Sequence, residues 1–459
     1  MRPGVISLLA SAALALAAGS AASAQEQTLT LPEARSLAYD LVRFGHLPAA
    51  EDLLTEILAK NPDDSGSLFL RARIAEAKGD PAGAKRAAAR VFRLAEDDRA
   101  RFAASEIAAR SAFRSGSYTN SQLWLRRAYE AAPDEVTRNA VADDYRQVRA
   151  INPLWFSLKA SVAPSSNVND GSSDDFNEIA GVDAVGLLSG SAKALEGVEA
   201  RLQFDLRYRL VQGRQWRNSA IFRHYERRVE LSADAQEQAP DLENDDFDQT
   251  TMEAGLRHEV VSASGRTGAA LTLTGGRTWY GQDSQFDFAR GDTRGWIKLT
   301  DALRFSAGYG LELRRLEDRP EETERYDRLS LGLSYGLSVG TISGTLHGQI
   351  SDPRAEFQDG HSIGFSMGYA HEKPILGMEL AGQLGVSEAH YSDYVVGIIE
   401  VPGGRQDTSY SAGLTMSFSA LDYAGFVPEV AVTAESRSSN VSRFDTEEVS
   451  VRFGISSAF

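Results

Sequence analysis

The chain has 459 residues, of which 42% are hydrophobic, with a mean hydropathy of -0.30; that length allows two or three domains. Past the N-terminus no window holds the ~18 consecutive apolar residues a spanning helix needs, so a helical membrane protein is excluded. There is no cysteine, which removes disulfides, thiolate metal sites and a lipid-acceptor thiol. The net charge is -16, with residues 25–153 in balance and the acid excess in 154–459, which argues against a nucleic-acid partner.

The first element is a targeting segment. Arg2 supplies a positive start, "VISLLASAALALAAGSAA" an apolar stretch, and Ala22-Ser23-Ala24 before Gln25 a small-residue cleavage site. Residues 1–24 therefore read as a secretory signal peptide, with an N-terminal anchor helix as the alternative.

Residues 25–153 form the second region, and 32–149 within it read as helix, with apolar residues three and four apart. A repeat runs through them. Gly45, Ala50 and Pro62 define one copy; Gly79 and Ala84 fall 34 residues later; Gly116, Tyr118 and Pro133 define a third, and Gly45 to Pro62 spans 17 residues, as does Gly116 to Pro133. A period of 34 with this helix–turn–helix order resembles tetratricopeptide repeats. The glycine opens the turn, the small alanine lets two helices approach, and the proline stops the second helix. The second copy lacks the proline, and an ordinary helical bundle remains the alternative.

From Trp155 the period changes to two. In "ARLQFDLRYRLV" the even positions, Leu202 to Leu210, are apolar, while Arg201, Asp205, Arg207 and Arg209 alternate with them. Arg304, Glu312 and Arg314 occupy the polar side of "LRFSAGYGLELR", Glu379 that of "LGMELAGQLGVSE", and Glu253 and Arg257 that of 250–261. Fifteen stretches qualify: 154–162, 184–193, 198–211, 217–231, 250–261, 267–280, 289–299, 302–315, 326–338, 341–351, 360–371, 376–391, 408–419, 427–437 and 447–459. Most run ten residues or more, against a mode of about five or six in soluble sheets, and their polar side is rich in Gly and Ser. Long strands with an apolar face out and a polar face in match a closed outer-membrane barrel, which lipid requires because an open edge leaves backbone groups unpaired. A water-soluble sandwich also alternates and stays as the alternative. The stretch 184–193 is short and alternates poorly, and a chain that enters and leaves on one side needs an even count. The expectation is therefore fourteen strands over 154–459. Short turns at 338–340 and 372–374 then fall on the periplasmic side, and long loops at 163–197, 232–249, 316–325 and 392–407 outside. The listed charges would face a wet lumen.

No catalytic constellation stands out. The seven histidines are scattered, and no HExxH, GxSxG or P-loop pattern occurs, so neither an enzyme nor a cofactor is expected. The acidic loop 232–248 could offer carboxylates to calcium, but it lacks EF-hand spacing and reads more simply as a solvated loop held open by its own charge.

One motif is more specific. Pro164, Ser166, Asn167, Val168 and Asn169, in "APSSNVND", resemble the P-x-S-N-[IV]-N signature that opens the barrel domain of the surface lipoprotein assembly modulator family. Locally they read as a rigid turn whose asparagines cap loop backbone groups. The resemblance covers essentially all of 25–459. It implies a periplasmic tetratricopeptide region and a fourteen-stranded barrel in the Gram-negative outer membrane. It also implies a role in moving client lipoproteins or secreted proteins to the cell surface. The terminal Phe459 resembles the signal read by the outer-membrane barrel insertion machinery. A single copy in contact with outer-membrane lipid is expected. Two functions follow: a protein translocon, or an exopolysaccharide exporter built on a tetratricopeptide scaffold.

Overall fold

The computed structural model describes residues 6–7, 28–180, 182, 185–319, 321–352, 359–421 and 426–458. The signal peptide expected at 1–24, apart from 6–7, and the terminal Phe459 lie outside them. The chain divides into two compact units, 1–152 and 153–459.

The first unit holds seven helices: α1 Leu31–Arg43, α2 Leu47–Lys60, α3 Ser65–Ala77, α4 Pro81–Leu94, α5 Asp98–Arg114, α6 Tyr118–Glu130 and α7 Glu135–Ile151. The turns after α1, α3 and α5 are built alike. Gly45, Gly79 and Gly116 sit at φ of +79°, +74° and +73°, a conformation that favours glycine. One residue later, His46, Asp80 and Ser117 donate their N–H to Leu41, Ala75 and Ala112 at 2.8, 2.8 and 2.9 Å. This closing bond satisfies carbonyls that the helix end would otherwise leave open. Ala50 and Ala84, five residues after their glycines, are fully buried. The equivalent third position is Ser121, 1% exposed, whose hydroxyl donates to Ala109 O at 2.9 Å across the α5–α6 pair. Tyr118, by contrast, opens α6 and meets Phe113 edge-on at 5.7 Å. Pro62 and Pro133 fall just past the ends of α2 and α6.

Two N-terminal caps make this unit acid-sensitive. Asp134 caps α7, accepting from Thr137 N at 2.8 Å, and that backbone hydrogen bond holds its carboxyl below the usual range. Glu33 accepts from Thr30 N at 2.8 Å in the first turn of α1 and is lowered in the same way. A carboxylate depressed in the folded state stabilises above its unfolded value of about 4 and loses that contribution as pH falls through the folded value. Helical circular dichroism of the full chain is therefore expected to hold from neutral pH to about 4 and to fall below it. Asp134→Asn, which keeps a capping oxygen without the charge, should flatten that fall.

The second unit is a closed antiparallel barrel of fourteen strands. They are β1 Leu154–Ser165, β2 Gly197–Gln212, β3 Trp216–Leu231, β4 Gln249–Val261, β5 Thr267–Tyr280, β6 Asp283–Lys298 and β7 Leu303–Leu316. They continue with β8 Thr323–Gly336, β9 Gly340–Asp352, β10 Gly360–His371, β11 Glu379–Tyr391, β12 Arg405–Ser417, β13 Val427–Ser439 and β14 Thr446–Ala458. Each pairs with its sequence neighbours, and β14 pairs with β1. The discarded stretch 184–193 contributes only Val185–Leu187, paired with Phe176–Glu178 in a hairpin apart from the barrel. One rim carries short turns such as 213–215 and 337–339, together with Pro153 and the end of β14. The other carries the long loops 166–196 and 392–404.

Two of the sequence expectations need correction. Pro164 is not in a turn: it lies within β1, in register with Val198, and the loop starts only after Ser165. The acidic loop 232–248 is not held open by repulsion. It folds into a short helix, α8 Ala233–Gln238, and a 3-10 turn, Asn244–Phe247. Ala235, Ala239 and Phe247 pack on Val168, Leu195, Val229 and Leu231. Three of its acids are engaged: Asp248 accepts from Val229 N at 3.0 Å and from Arg228 at 2.7 Å, Asp246 from Glu243 N at 2.8 Å, and Asp245 from Gln282 Nε2 at 2.6 Å. Among the described residues no cluster could hold a metal ion.

The outward face is apolar in the middle and polar toward the rims, with Asn218 and His258 bonded to each other at the short-turn side. Leu256, Leu273, Leu329, Leu333, Phe365 and Leu384 all project outward, between 46% and 59% exposed. Toward the short-turn rim Tyr208, Trp216, Tyr335 and Tyr369 form an aromatic girdle. Toward the other rim come outward ion pairs: Arg277 with Asp287 at 2.6 Å, Arg325 with Asp327 at 2.7 Å, Arg228 with Glu226 at 2.6 Å. From Tyr335 to Asp327 is eight residues, roughly 26 Å along a strand. Tilted as barrel strands are, that spans roughly 20 Å of membrane. The outward charges thus sit at headgroup level, which alternation alone did not reveal.

Candidate functional site: the lumenal wall and the helical groove

The lumen-facing charges of β2 to β8 form three ion-pair clusters, the longest of which runs from β2 to β8. Asp205 on β2 meets Arg223 on β3 at 3.4 Å, and Arg223 reaches Glu253 on β4 at 2.5 Å. Glu253 also accepts from Arg290 on β6 at 3.3 Å, passing over β5, whose inward residues Thr272, Thr274 and Gly276 are small. Arg290 then reaches Glu312 on β7 at 2.6 Å. Glu312 is fully buried and also takes Arg314 at 2.6 Å and Arg328 on β8 at 3.3 Å. Three guanidinium groups thus share one carboxylate. A parallel cluster joins Arg217, Arg257 and Arg207 to Glu259 at 2.6, 3.1 and 3.9 Å, and a third joins Arg201 and Arg227 to Glu199.

Of the residues singled out in the sequence, Arg201, Asp205, Arg207, Glu253, Arg257, Glu312 and Arg314 fall in these clusters. Arg209 is inward near the short-turn rim and donates to Gln212 at 3.0 Å. Arg304 lies over the Trp296 ring at 4.5 Å. Glu379, opposite Ser417 at the short-turn end of β11, stands apart from them. The network's other members, Glu199, Arg217, Arg223, Arg227, Glu259, Arg290 and Arg328, escaped notice. Their signal was available: each shares the lumenal parity of a strand already recognised. The wall carries more arginine than acid. Arg294, Lys298 and Arg304, toward the short-turn rim, join no ion pair among the described residues, so positive charge exceeds negative there. The arc β9 to β10 is neutral by contrast, with Ser343, Thr345, Gln349, Ser362 and Ser366 facing inward.

The P-x-S-N-V-N residues brace the long-loop rim. Asn167 accepts from Gly171 N and donates to Gly171 O, both at 2.8 Å. Asn169 accepts from Leu195 N at 2.9 Å and donates to Lys193 O at 2.8 Å. Val168 is 2% exposed and its carbonyl accepts from Arg227. Ser166 is exposed, and Pro164 stands one residue before Ser165, whose hydroxyl donates to Glu448 at 2.7 Å. The motif thereby ties the first long loop to the lumenal Arg227 cluster.

In the helical unit, α5, α6 and α7 enclose a groove of about 530 Å³. Ala109, Phe113, Leu125, Val141 and Val148 line it, with Arg110, Arg114 and Asp144 at its edge. An apolar floor with a charged edge suits an amphipathic peptide.

These features define a class: a closed transmembrane β-barrel with an arginine-rich inner wall, joined in one chain to a block of helical hairpins. No family model and no curated protein matches the sequence. Among solved structures, a bacterial polysaccharide outer membrane secretin is 10% identical, covering 66% of this chain and 98% of its own, at a TM-score of 0.35. The outer membrane channel DcaP of Acinetobacter baumannii is 8% identical, covering 67% and 96%, at 0.38. The Yersinia enterocolitica type III secretion translocator chaperone SycD is 17% identical, covering 26% of this chain and 84% of its own, at 0.24. None of these likenesses reaches the level at which a function transfers.

Proposed function

We propose that the protein is a non-enzymatic outer-membrane translocon that delivers particular client proteins, lipoproteins or secreted proteins, to the cell surface. In this reading the helical unit is a tetratricopeptide-type receptor in the periplasm, the short-turn rim faces the periplasm, and the long loops face outward. The observation that carries it is the union in one chain of an open apolar groove of peptide dimensions with a closed barrel whose inner wall is lined by charged side chains. A diffusion channel would have no use for the groove. The resemblance to the surface lipoprotein assembly modulator family, carried by Pro164 to Asn169, agrees with it.

The basic excess around Arg294, Lys298 and Arg304 favours a second reading, export of an acidic exopolysaccharide. One experiment separates the two. Deletion of residues 32–149 from the chromosomal copy is expected to remove one or a few proteins from the cell surface while barrel abundance stays constant. Loss of a matrix polymer with an unchanged surface proteome would favour the second reading. A change confined to small-solute uptake would overturn both.

A further inference from the structure

Five arginines on the lumenal face of the barrel stand over an aromatic ring. Arg207 lies 5.4 Å from the centre of the Trp155 ring, Arg290 4.9 Å from Phe288, Arg304 4.5 Å from Trp296, Arg314 4.1 Å from Tyr326 and Arg405 4.7 Å from Tyr391. Four of the five also meet a carboxylate: Arg207 reaches Glu259 at 3.9 Å, Arg290 and Arg314 each reach Glu312 at 2.6 Å, and Arg405 reaches Asp407. A ring behind a guanidinium holds its plane and leaves its edge for the oxygens of an acid. Arg304 has the ring without the acid. Among the described residues no carboxylate stands within ion-pair distance of it.

Its neighbours add to the imbalance. Lys298 is directly opposite Arg304 in the β6–β7 register, and both project into the lumen. Like charges in directly opposed positions on paired strands are destabilising. Arg294, on the same face of β6, is exposed and also joins no ion pair among the described residues. Asp301, in the connecting turn, pairs with none of the three. The inward positions around them carry no acid: Gly268 and Ala270 on β5, Ser306 and Gly308 on β7, Gly332 and Ser334 on β8. The three ion-pair clusters of β2 to β8 each close on a carboxylate, at Glu199, Glu259 or Glu312. Here three bases share one stretch of wall and the wall supplies no counter-charge.

Trp296 is a backing for Arg304 and not a stacking platform. It lies against Gly268, where a Cβ would come within 2.7 Å of the indole. Gly268 belongs to β5 and Arg304 to β7, the strands on either side of β6, so the indole is held between them. Beside Arg304 the wall is small, with Ser306, Gly308 and Gly332, and a glycine within a strand lets another backbone come close.

We propose that Arg304, backed by Trp296 and flanked by Lys298 and Arg294, is a carboxylate-binding subsite whose ligand is an acidic side chain of an extended peptide segment. The guanidinium takes the carboxylate as Arg290 and Arg314 take Glu312, and the two neighbouring bases attract the next acid of the segment. An acidic sugar carries the same group, but its ring would seek the indole face that Gly268 and Arg304 occupy. That the segment belongs to a transported client rests on the translocon reading; that the subsite takes a peptide carboxylate does not.

The test uses the detergent-solubilised full-length protein and a fluorescent decapeptide alternating glutamate and serine, with binding read as anisotropy. Arg304→Gln is expected to raise the dissociation constant about ten-fold, the loss of one hydrogen-bonded charge pair. Trp296→Ala keeps all three bases and should raise it about three-fold, since the guanidinium loses its backing. Lys159→Gln, which removes an exposed lumenal base on β1, should change it about two-fold or less. Because Arg304→Gln also relieves the contact with Lys298, the urea midpoint should hold or rise, which separates lost binding from lost folding. Equal losses in Arg304→Gln and Lys159→Gln would mean diffuse attraction and overturn the subsite. So would a glutamine–serine decapeptide that binds as tightly as the acidic one. An oligogalacturonate of the same charge that binds more tightly than the peptide, and loses as much in Arg304→Gln, overturns the peptide assignment in favour of an acidic polysaccharide. Peptide binding that depends on Arg304 while deletion of 32–149 changes no surface protein upholds the subsite and overturns only the translocon reading.

Discussion

Glu312→Ala is expected to lower the stability of the barrel by about 3 kcal/mol, the lower end of the range for breaking a buried ion pair. The carboxylate is fully buried and receives Arg290, Arg314 and Arg328. Its removal leaves three guanidinium groups facing one another on adjoining strands, with only Glu253 left to accept from Arg290. Those arginines keep 24%, 29% and 38% of their side chains exposed, so lumenal water softens the repulsion and the estimate stays at the low end. Glu312→Gln keeps an acceptor oxygen and should lose roughly half as much. The measurement is the urea midpoint at which the detergent-solubilised protein loses its heat-modifiable, compact migration. Glu379→Ala, at the end of β11 and outside the network, is the control. The same change should move the reversal potential in a planar bilayer toward anions, since the wall then carries one negative charge fewer. A midpoint no lower than the Glu379→Ala control would show that the three arginines do not depend on Glu312.

The side of the wall on which each charge stands was legible from parity alone. Arg201, Asp205, Glu253 and Glu312 could be placed in the lumen because a strand offers only two faces and the other face was occupied by leucine. Which charges meet was not legible. Arg290 reaches Glu253 only because the strand between them presents threonine and glycine, a fact about three strands in register. The outward pairs Arg277–Asp287 and Arg325–Asp327 break the alternation and could not be interpreted until the aromatic girdle fixed the height of the lipid band. The helical repeat was legible where glycine marks it, since only a turn with positive φ needs glycine at that point. It was lost at Ser121, where a hydroxyl satisfied by Ala109 O stands in for the buried alanine.

Pro164 carries the sharpest difference between sequence and structure. A proline followed by serines and asparagines suggests a turn by local chemistry, and the asparagines do bracket the loop that follows. Yet the residue itself is extended, because β2 holds it in register from the side that needs no donor. Its place is set by that pairing, a non-local property that no window of sequence contains. The acidic loop differs for a related reason. Its composition suggests repulsion, but Arg228 and the free N–H groups of Val229 and Leu231 that absorb its side chains come from a neighbouring strand.

The assignment of lipid and water to the two faces is tested most directly by moving one charge across a single residue step. Leu331 projects outward on β8, between Ala307 and Leu346 in register and midway between the Tyr335 girdle and the Asp327 pair. Ser330, its neighbour, projects into the lumen opposite Gly308 and His347. Leu331→Arg is expected to destabilise the folded barrel by about 2–4 kcal/mol, the cost of an arginine at the bilayer midplane. Ser330→Arg should lose well under about 1 kcal/mol, a typical figure for a solvated substitution away from packed groups. Both add one positive charge to the same strand, so net charge and strand propensity cannot account for a difference. Refolding into phospholipid vesicles, followed by denaturant titration, reads the two values. The contrast should shrink in a short-chain detergent micelle, where the arginine reaches water more easily. If both variants lose the same amount in vesicles, the two faces do not see different solvents, and the barrel is not embedded as its outward leucines indicate.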